Sequence, residues 1–276
     1  MTDATRALRF LSFNIRCDTP ADGENQWLYR KEAVAAFLAE RRPDVAGLQE
    51  ALPHQLQFVR ERLAQYEAIG TGRNHDGGGE HTPLLYRPDR LRVVQSGTFW
   101  LSETPHVPGS MSWETACPRI ATWAIFGPAR PGGEGAQPEI LVVNTHLDHR
   151  SQAARENGAA LVMQFIEQTA GGRPVVVMGD MNGAPTNPAV QRFLSGAAGL
   201  VDTLVASGKA RPGEAGPGTF HGFRGAEAAV SRIDYIFASA VLPVRAAGVL
   251  YDRPGGRWLS DHFPVEAELA WEPAPA

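Results

Sequence analysis

Cysteine is scarce in this chain. Its 276 residues include two, Cys17 and Cys117. That is too few for the disulfide framework that staples small secreted domains, and two free thiols are expected. No Cys/His spacing fits a zinc site. A surplus of positive charge is also missing: 26 Lys and Arg stand against 30 Asp and Glu, for a net charge of −4. Proteins that grip a long duplex usually carry a basic excess or stripe. The small basic clusters, Arg41 with Arg42 and Arg87, Arg90 with Arg92, read as solvated faces. Residues 1–9 hold Asp3, Arg6 and Arg9 but no apolar core of signal-peptide length. No apolar run approaches the roughly 20 residues of a membrane span. The expectation is a cytoplasmic protein with no membrane and no obligate protein partner.

What is present is an ordinary globular composition, 43% hydrophobic and 20% charged. Apolar runs of strand length alternate with helical spacing and with loops rich in glycine and proline. Strands are expected at residues 8–15, 44–49, 66–70, 82–86 and 91–101. A hairpin is expected from 119–126 and 139–146, joined by 127–138. Further strands fall at 175–179, 232–238, 243–250 and 263–269, and residues 271–276 read as a tail. Helices are expected at 28–40, 53–63 and 151–169, with another opened by Asn187 and Pro188. Residues 102–118 form a long irregular loop, a length that often marks function. No linker separates two self-sufficient halves and no repeat is evident. One α/β domain over residues 1–276, with its core at about 8–270, is the natural reading.

Polar groups recur at the ends of the apolar strands. Asn14 follows the first, Glu50 the second and His146 the hairpin strand. Asp180 and Asn182 follow the 175–179 strand. Asp234 lies in a late strand, and Asp261 and His262 precede the last one. Each has a bland reading when taken alone: Asn14 as a turn residue, Glu50 as a helix-start acid, Gly179-Asp180-Met181-Asn182 as a turn. In an extended segment Asp180 and Asn182 would point the same way. His146 and His149 would face oppositely, which argues against a two-histidine clamp. A carboxylate buried at Asp234 needs a partner. The carboxylates Glu50, Asp180, Asp234 and Asp261, with Asn14 and Asn182, make an oxygen-rich set suited to Mg²⁺ or Mn²⁺.

In order, Phe13-Asn14, Leu48-Gln49-Glu50, Asn144-Thr145-His146, Gly179-Asp180-Met181-Asn182, Ile233-Asp234-Tyr235 and Ser260-Asp261-His262 resemble the motifs of the endonuclease/exonuclease/phosphatase (DNase I-like) superfamily. The resemblance covers about residues 8 to 270, and Gln26-Trp27-Leu28-Tyr29-Arg30 is similar to its deadenylase-like bacterial branch. It implies a four-layer α/β/β/α sandwich of two mostly antiparallel mixed sheets flanked by helices. It implies a metal on Glu50, with Asn14 and Asp261 beside it. It also implies Asp180 and Asn182 at the attacking water, His262 held by Asp234 on the scissile phosphate, and His146 on a phosphate oxygen. Where abasic-site endonucleases carry an acid two places after the first-strand Asn, this chain has Arg16. One ion is therefore expected, with a second possible.

The function so implied is hydrolysis of a phosphomonoester or phosphodiester by direct attack of water. The expected substrate is a phosphorylated small molecule or short single-stranded nucleic acid, with duplex nuclease action as the alternative. Arg119 is a plausible further phosphate donor. Phe220 and Phe223 read either as base-stacking groups or as loop anchors. Residues 100–113 are candidates for recognition, and Glu80 and His81 for the rim. A serine hydrolase is disfavoured, because no Gly-x-Ser-x-Gly elbow exists and consecutive Ser260, Asp261 and His262 cannot form a triad. The lone Gly70-x-Gly72 fails as a dinucleotide fingerprint. A binding module on the same fold, without chemistry, is the rival from another class.

Overall fold

The computed structural model describes residues 7–130 and 137–272. The expectations for residues 1–6, for the middle of the 127–138 connection and for the last residues of the tail lie outside the described residues. The first half of the chain holds β1 (Ala7–Asn14), α1 (Trp27–Arg41), β2 (Val45–Gln49), α2 (Pro53–Arg62), β3 (Glu67–Ile69), β4 (Leu84–Tyr86), β5 (Leu91–Trp100) and β6 (Ile120–Pro128). The second half holds β7 (Ile140–His146), α3 (Gln152–Thr169), β8 (Val175–Asp180), α4 (Pro188–Ser195), β9 (Leu200–Asp202), α5 (Thr203–Ala206), β10 (Asp234–Ser239), β11 (Val244–Val249) and β12 (Val265–Ala270).

The strands form two six-stranded sheets, ordered β11-β12-β1-β2-β4-β3 and β5-β6-β7-β8-β10-β9. In each, one pair is parallel (β1 with β2, β7 with β8) and the rest are antiparallel. Three apolar layers hold the four structural layers together. Leu8, Phe10, Val45, Phe126, Val142, Val176, Ile236 and Val265 pack between the sheets. Leu11, Phe13, Ala46 and Leu48 turn the other way, onto Trp27, Val34, Phe37 and Leu38 of α1. Val143, Val177 and Phe237 do the same onto Val162, Met163 and Ile166 of α3. The fold is thus the four-layer α/β/β/α sandwich.

Helix ends follow local chemistry. Ser151 Oγ accepts the Ala154 N–H to start α3, and Asn187 Oδ1 accepts the Ala189 N–H to start α4 behind Pro188. Among the described residues, β9 and α5 lie outside every expected element. Both are too short to show a period, and what sets them is the pairing of β9 with β10 and the cap of Asp202 on the Leu204 N–H.

Strand alternation positions the site. Residues 8 and 10 of β1 face the other sheet, so Ser12 and Asn14 do too. The same face of β2 runs from Val45 through Gly47 to Gln49. That of β7 runs from Val142 through Asn144 to His146, and that of β8 from Val176 through Met178 to Asp180. Asp234 continues the Ala238–Ile236 face of β10. The inter-sheet layer therefore grades from apolar at one end to polar at the other. Gly47 marks the change. A Cβ there would lie 2.6 Å from Met178 Sδ and 2.7 Å from Asn144 Cγ, so glycine lets the sheets close. Beside it Gln49 Nε2 donates across the sheets to Asn144 Oδ1 at 2.8 Å.

Candidate active site

Backbone geometry turns the strand ends toward one another. Arg16, Glu50 and Asn182, each just past a strand, have φ of 59°, 60° and 47°. This left-handed region is uncommon for residues other than glycine and clusters at functional sites. Register places His146 and Asp234 on either side of Asp180. A bridge between Phe220 and His262 draws the 219–223 loop over the same point. Arg30, 1% exposed, donates to the carbonyls of Ile15 at 2.9 Å and Leu259 at 2.7 Å. It thereby ties the chain after β1 to the chain that leads into Asp261.

The result is a cavity of about 470 Å³ whose wall includes Glu50, His146, Asp180, Asn182, Asp261 and His262. His262 Nδ1 lies 2.9 Å from Asp234 Oδ2, and its Nε2 lies 3.7 Å from Asp180 Oδ2. Asn14 Nδ2 donates to Glu50 Oε1 at 3.0 Å and to Asp180 Oδ2 at 3.1 Å. Glu50 Oε2 accepts the Cys17 N–H at 3.0 Å. Asn182 Nδ2 donates to the Leu147 carbonyl at 2.9 Å and approaches His146 Nε2 at 3.0 Å. The carbonyl bond fixes the amide's orientation, and His146 Nε2 also lies 3.4 Å from Asp180 Oδ2.

Charge follows from burial and neighbours. Burial works against a charged His262, but the carboxylates of Asp234 and Asp180 outweigh it and hold its pKa well above the usual histidine range. His146 goes the other way: burial, then the charges of Arg119 and His262, keep it neutral. Burial and the like charge of Asp234 raise the Asp180 carboxyl, against the opposing pull of His262. Glu50 is depressed even though burial would raise it, because the Cys17 N–H and the Asn14 amide stabilise its anion. Burial raises Asp261, His262 opposes this, and the charge of Glu50 adds to it.

Ligand atoms of Asp180, Asp234 and His262 lie within 4.8 Å of one another, a grouping that could hold an ion only with His262 neutral; with His262 charged, the carboxylates that fit a hard cation are those of Glu50 and Asp261 on the cavity wall. Glu50, partly buried, and Asp261, buried, are carboxylates that repel each other. The Arg16 guanidinium, 3.8 Å from Glu50 and 3.7 Å from Asp261, offsets their charge only in part. Oxygen donors of this kind suit Mg²⁺ or Mn²⁺.

All the expected site residues gather here. Asn14 and Asp234 stand behind the wall as buried supports, and the others form it. Arg119 lines the cavity, with Nη2 2.9 Å from His149 Nδ1. Phe220 stands at the rim, 41% exposed, its ring 5.0 Å from that of His262. Phe223 does not reach the cavity and instead lies against the Arg30 guanidinium at 5.5 Å. Residues 100–113 do not line the cavity either. Trp100 is buried, and its Nε1 donates to the Arg73 carbonyl at 2.7 Å. Two geometric expectations need correction. Asn182 lies past the end of β8 with a left-handed φ, so it meets Asp180 through a turn in which its N–H donates to Asp180 Oδ1 at 2.9 Å. His149 lies beyond the end of β7, so it lines the cavity together with His146. Glu80 reaches the wall, but His81 does not. Arg73 also lines the cavity, as do Cys17 and Cys117, which the sequence presents only as free thiols; loop packing places them and no strand period does. Asp148 was passed over. It accepts from Ser151 N at 2.7 Å, Arg150 N at 2.9 Å, Ala116 N at 3.0 Å and Thr115 Oγ1 at 2.9 Å. It thus fastens the 102–118 loop to the start of α3.

Fold and site together define the class of phosphoesterases and nucleases. Residues 11–262 match the Endonuclease/Exonuclease/phosphatase family, and the chain belongs to it. An endonuclease/exonuclease/phosphatase from Bacteroides vulgatus is 37% identical at a TM-score of 0.86, over 96% of this chain and 99% of that one. A mannosyl-6-phosphatase from Bacteroides thetaiotaomicron is 34% identical at a TM-score of 0.84, over 95% and 99%. The human Nocturnin catalytic domain, 19% identical at a TM-score of 0.76 over 96% and 94%, shares the fold. No curated protein matches the sequence.

Proposed function

We propose that the protein is a divalent-metal-dependent phosphomonoesterase acting on a small phosphorylated molecule. The observation that carries this reading is His262, held by Asp234 at 2.9 Å, beside Asp180 in the same cavity as Glu50 and Asp261. Glu50 and Asp261 would hold the ion, with Asn14 orienting Glu50. When bound, such an ion polarises a phosphoryl oxygen and lowers the pKa of bound water.

The remaining steps belong to the chain's own side chains. Asp180, raised above the ordinary carboxylate range, takes the proton of the attacking water, and Asn182 places that water. The His262 imidazolium stabilises charge on the phosphoryl group and protonates the leaving oxygen. Arg119 donates to a second phosphoryl oxygen. His146, kept neutral by burial, donates without adding charge. Water attacks phosphorus in line and no covalent enzyme intermediate forms.

Three points favour a small monoester over nucleic acid: the cavity of about 470 Å³, the net charge of −4, and the likeness to a mannosyl-6-phosphatase. Hydrolysis of p-nitrophenyl phosphate and bis-p-nitrophenyl phosphate, with Mg²⁺ and with EDTA, tests the reading. The monoester should be preferred and EDTA should abolish turnover. Preference for the diester, or EDTA-resistant turnover, would refute it.

A further inference from the structure

One charged pair on the cavity wall has no part in the chemistry above. Arg73 Nη1 and Glu80 Oε2 lie 2.6 Å apart, and each side chain is 19% exposed. Burying a charged pair this far is costly and needs compensation. Holding the 70–81 loop does not explain it, because backbone bonds already close that loop. Gly72 donates to the Gly77 carbonyl at 3.0 Å, Arg73 to Glu80 at 3.0 Å and His81 to Ala51 at 2.8 Å. A Cβ on Gly72 would lie 2.1 Å from the Gly78 carbonyl oxygen, so the turn is tight. From outside, Trp100 Nε1 grips the Arg73 carbonyl at 2.7 Å.

This rigid loop presents the pair to the space beside the reacting groups. Arg73 and Glu80 line the same cavity as Glu50, Arg119 and His146. The contact between the two uses one guanidinium N–H and one carboxylate oxygen. This contact leaves the remaining guanidinium N–H groups and Glu80 Oε1 unused by the pair itself, on residues that both line the cavity. A hydroxyl both donates and accepts, so a donor and an acceptor fixed side by side match neighbouring hydroxyls on a ring. A charged pair left unmet by the ligand is penalised, which gives discrimination that apolar contact cannot.

The geometry points to Arg73 and Glu80 as the leaving-group subsite of this cavity, a clamp for a polyhydroxylated, sugar-like alcohol. The inference rests on the phosphomonoesterase reading and narrows its substrate class to sugar phosphates. The test uses the full chain with Mg²⁺, and the variants Glu80→Gln and Arg73→Met/Glu80→Gln, the second of which keeps the wall neutral. For mannose 6-phosphate and glucose 6-phosphate, kcat/KM should fall by about thirtyfold or more. For p-nitrophenyl phosphate, whose leaving group carries no hydroxyl, it should change by about threefold or less. An equal fall on both kinds of substrate, or no fall on either, overturns the clamp. Wild-type turnover of p-nitrophenyl phosphate but of neither sugar phosphate overturns the clamp and leaves the phosphomonoesterase standing. Turnover of neither kind removes the phosphomonoesterase reading, and calorimetry then decides the subsite. Either sugar phosphate should bind wild type at least about tenfold tighter than inorganic phosphate does, and Glu80→Gln should erase the difference. Equal binding of sugar phosphate and phosphate to wild type overturns the clamp.

Discussion

The two ends of the inter-sheet layer are built on the same faces of the same strands, yet they do opposite things. At one end Leu8, Phe10, Val142 and Val176 exclude water and make the sandwich cohere. At the other end Asn14, His146, Asp180 and Asp234 continue the same faces, where burial of polar groups is costly unless they are paired. Apolar packing at the first end holds the strands rigid enough to keep the polar cluster in place at the second. Stability and chemistry are thus separated along one axis, and substitutions should separate them too.

The largest expected effect is on rate at the polar end. His262→Asn should lower kcat by about a thousandfold or more, as loss of a preorganised group at the phosphoryl centre does; steady-state phosphate release reads it. Glu50→Gln should fall comparably and should also weaken Mg²⁺ binding in a calorimetric titration, whereas His262→Asn should leave a measurable Mg²⁺ isotherm. At the apolar end, Leu8→Ala should cost about 2–5 kcal/mol in urea unfolding while changing kcat/KM about threefold or less. A large rate loss there would break the separation. Gly47→Ala sits on the boundary, where an added Cβ meets Met178 and Asn144. It should do both in moderation, costing about 1–3 kcal/mol and slowing turnover about tenfold.

The smallest effect expected is a pH dependence set by Asp148. Four donors hold its carboxyl down to about 2 against the cost of burial, from an ordinary value of 3.8. A depressed pKa contributes stability that is present above 3.8 and is lost as pH falls through about 2. Urea unfolding of wild type and Asp148→Asn should therefore differ most above pH 4 and converge toward pH 2. A constant difference across that range would show that Asp148 acts through shape alone.

Much of this was legible in the sequence, and the reason is periodicity. Asn14, His146, Asp180 and Asp234 each extend an alternating apolar face, so their strands announce where they point. Glu50, Asp261 and His262 were legible through the order of motifs. The rest depends on turns and loops. The left-handed φ of Asn182 defeated an extended reading. The gathering of Arg73, Glu80, Cys117 and His149 on one wall requires the 70–81 and 102–118 loops to be folded against β5, β6 and α3. No residue spacing encodes that. Phe220 and Phe223 are close in sequence and similar in chemistry, but one stands at the rim and the other anchors its loop on Arg30.

Under the proposed function, the polar end of the inter-sheet layer directs water onto phosphorus. Turnover of p-nitrophenyl phosphate with Mg²⁺ in ¹⁸O-labelled water tests this most directly. The label should appear in the released phosphate and not in p-nitrophenol. Label in the alcohol would mean attack at carbon and would contradict the assigned roles of Asp180 and His262.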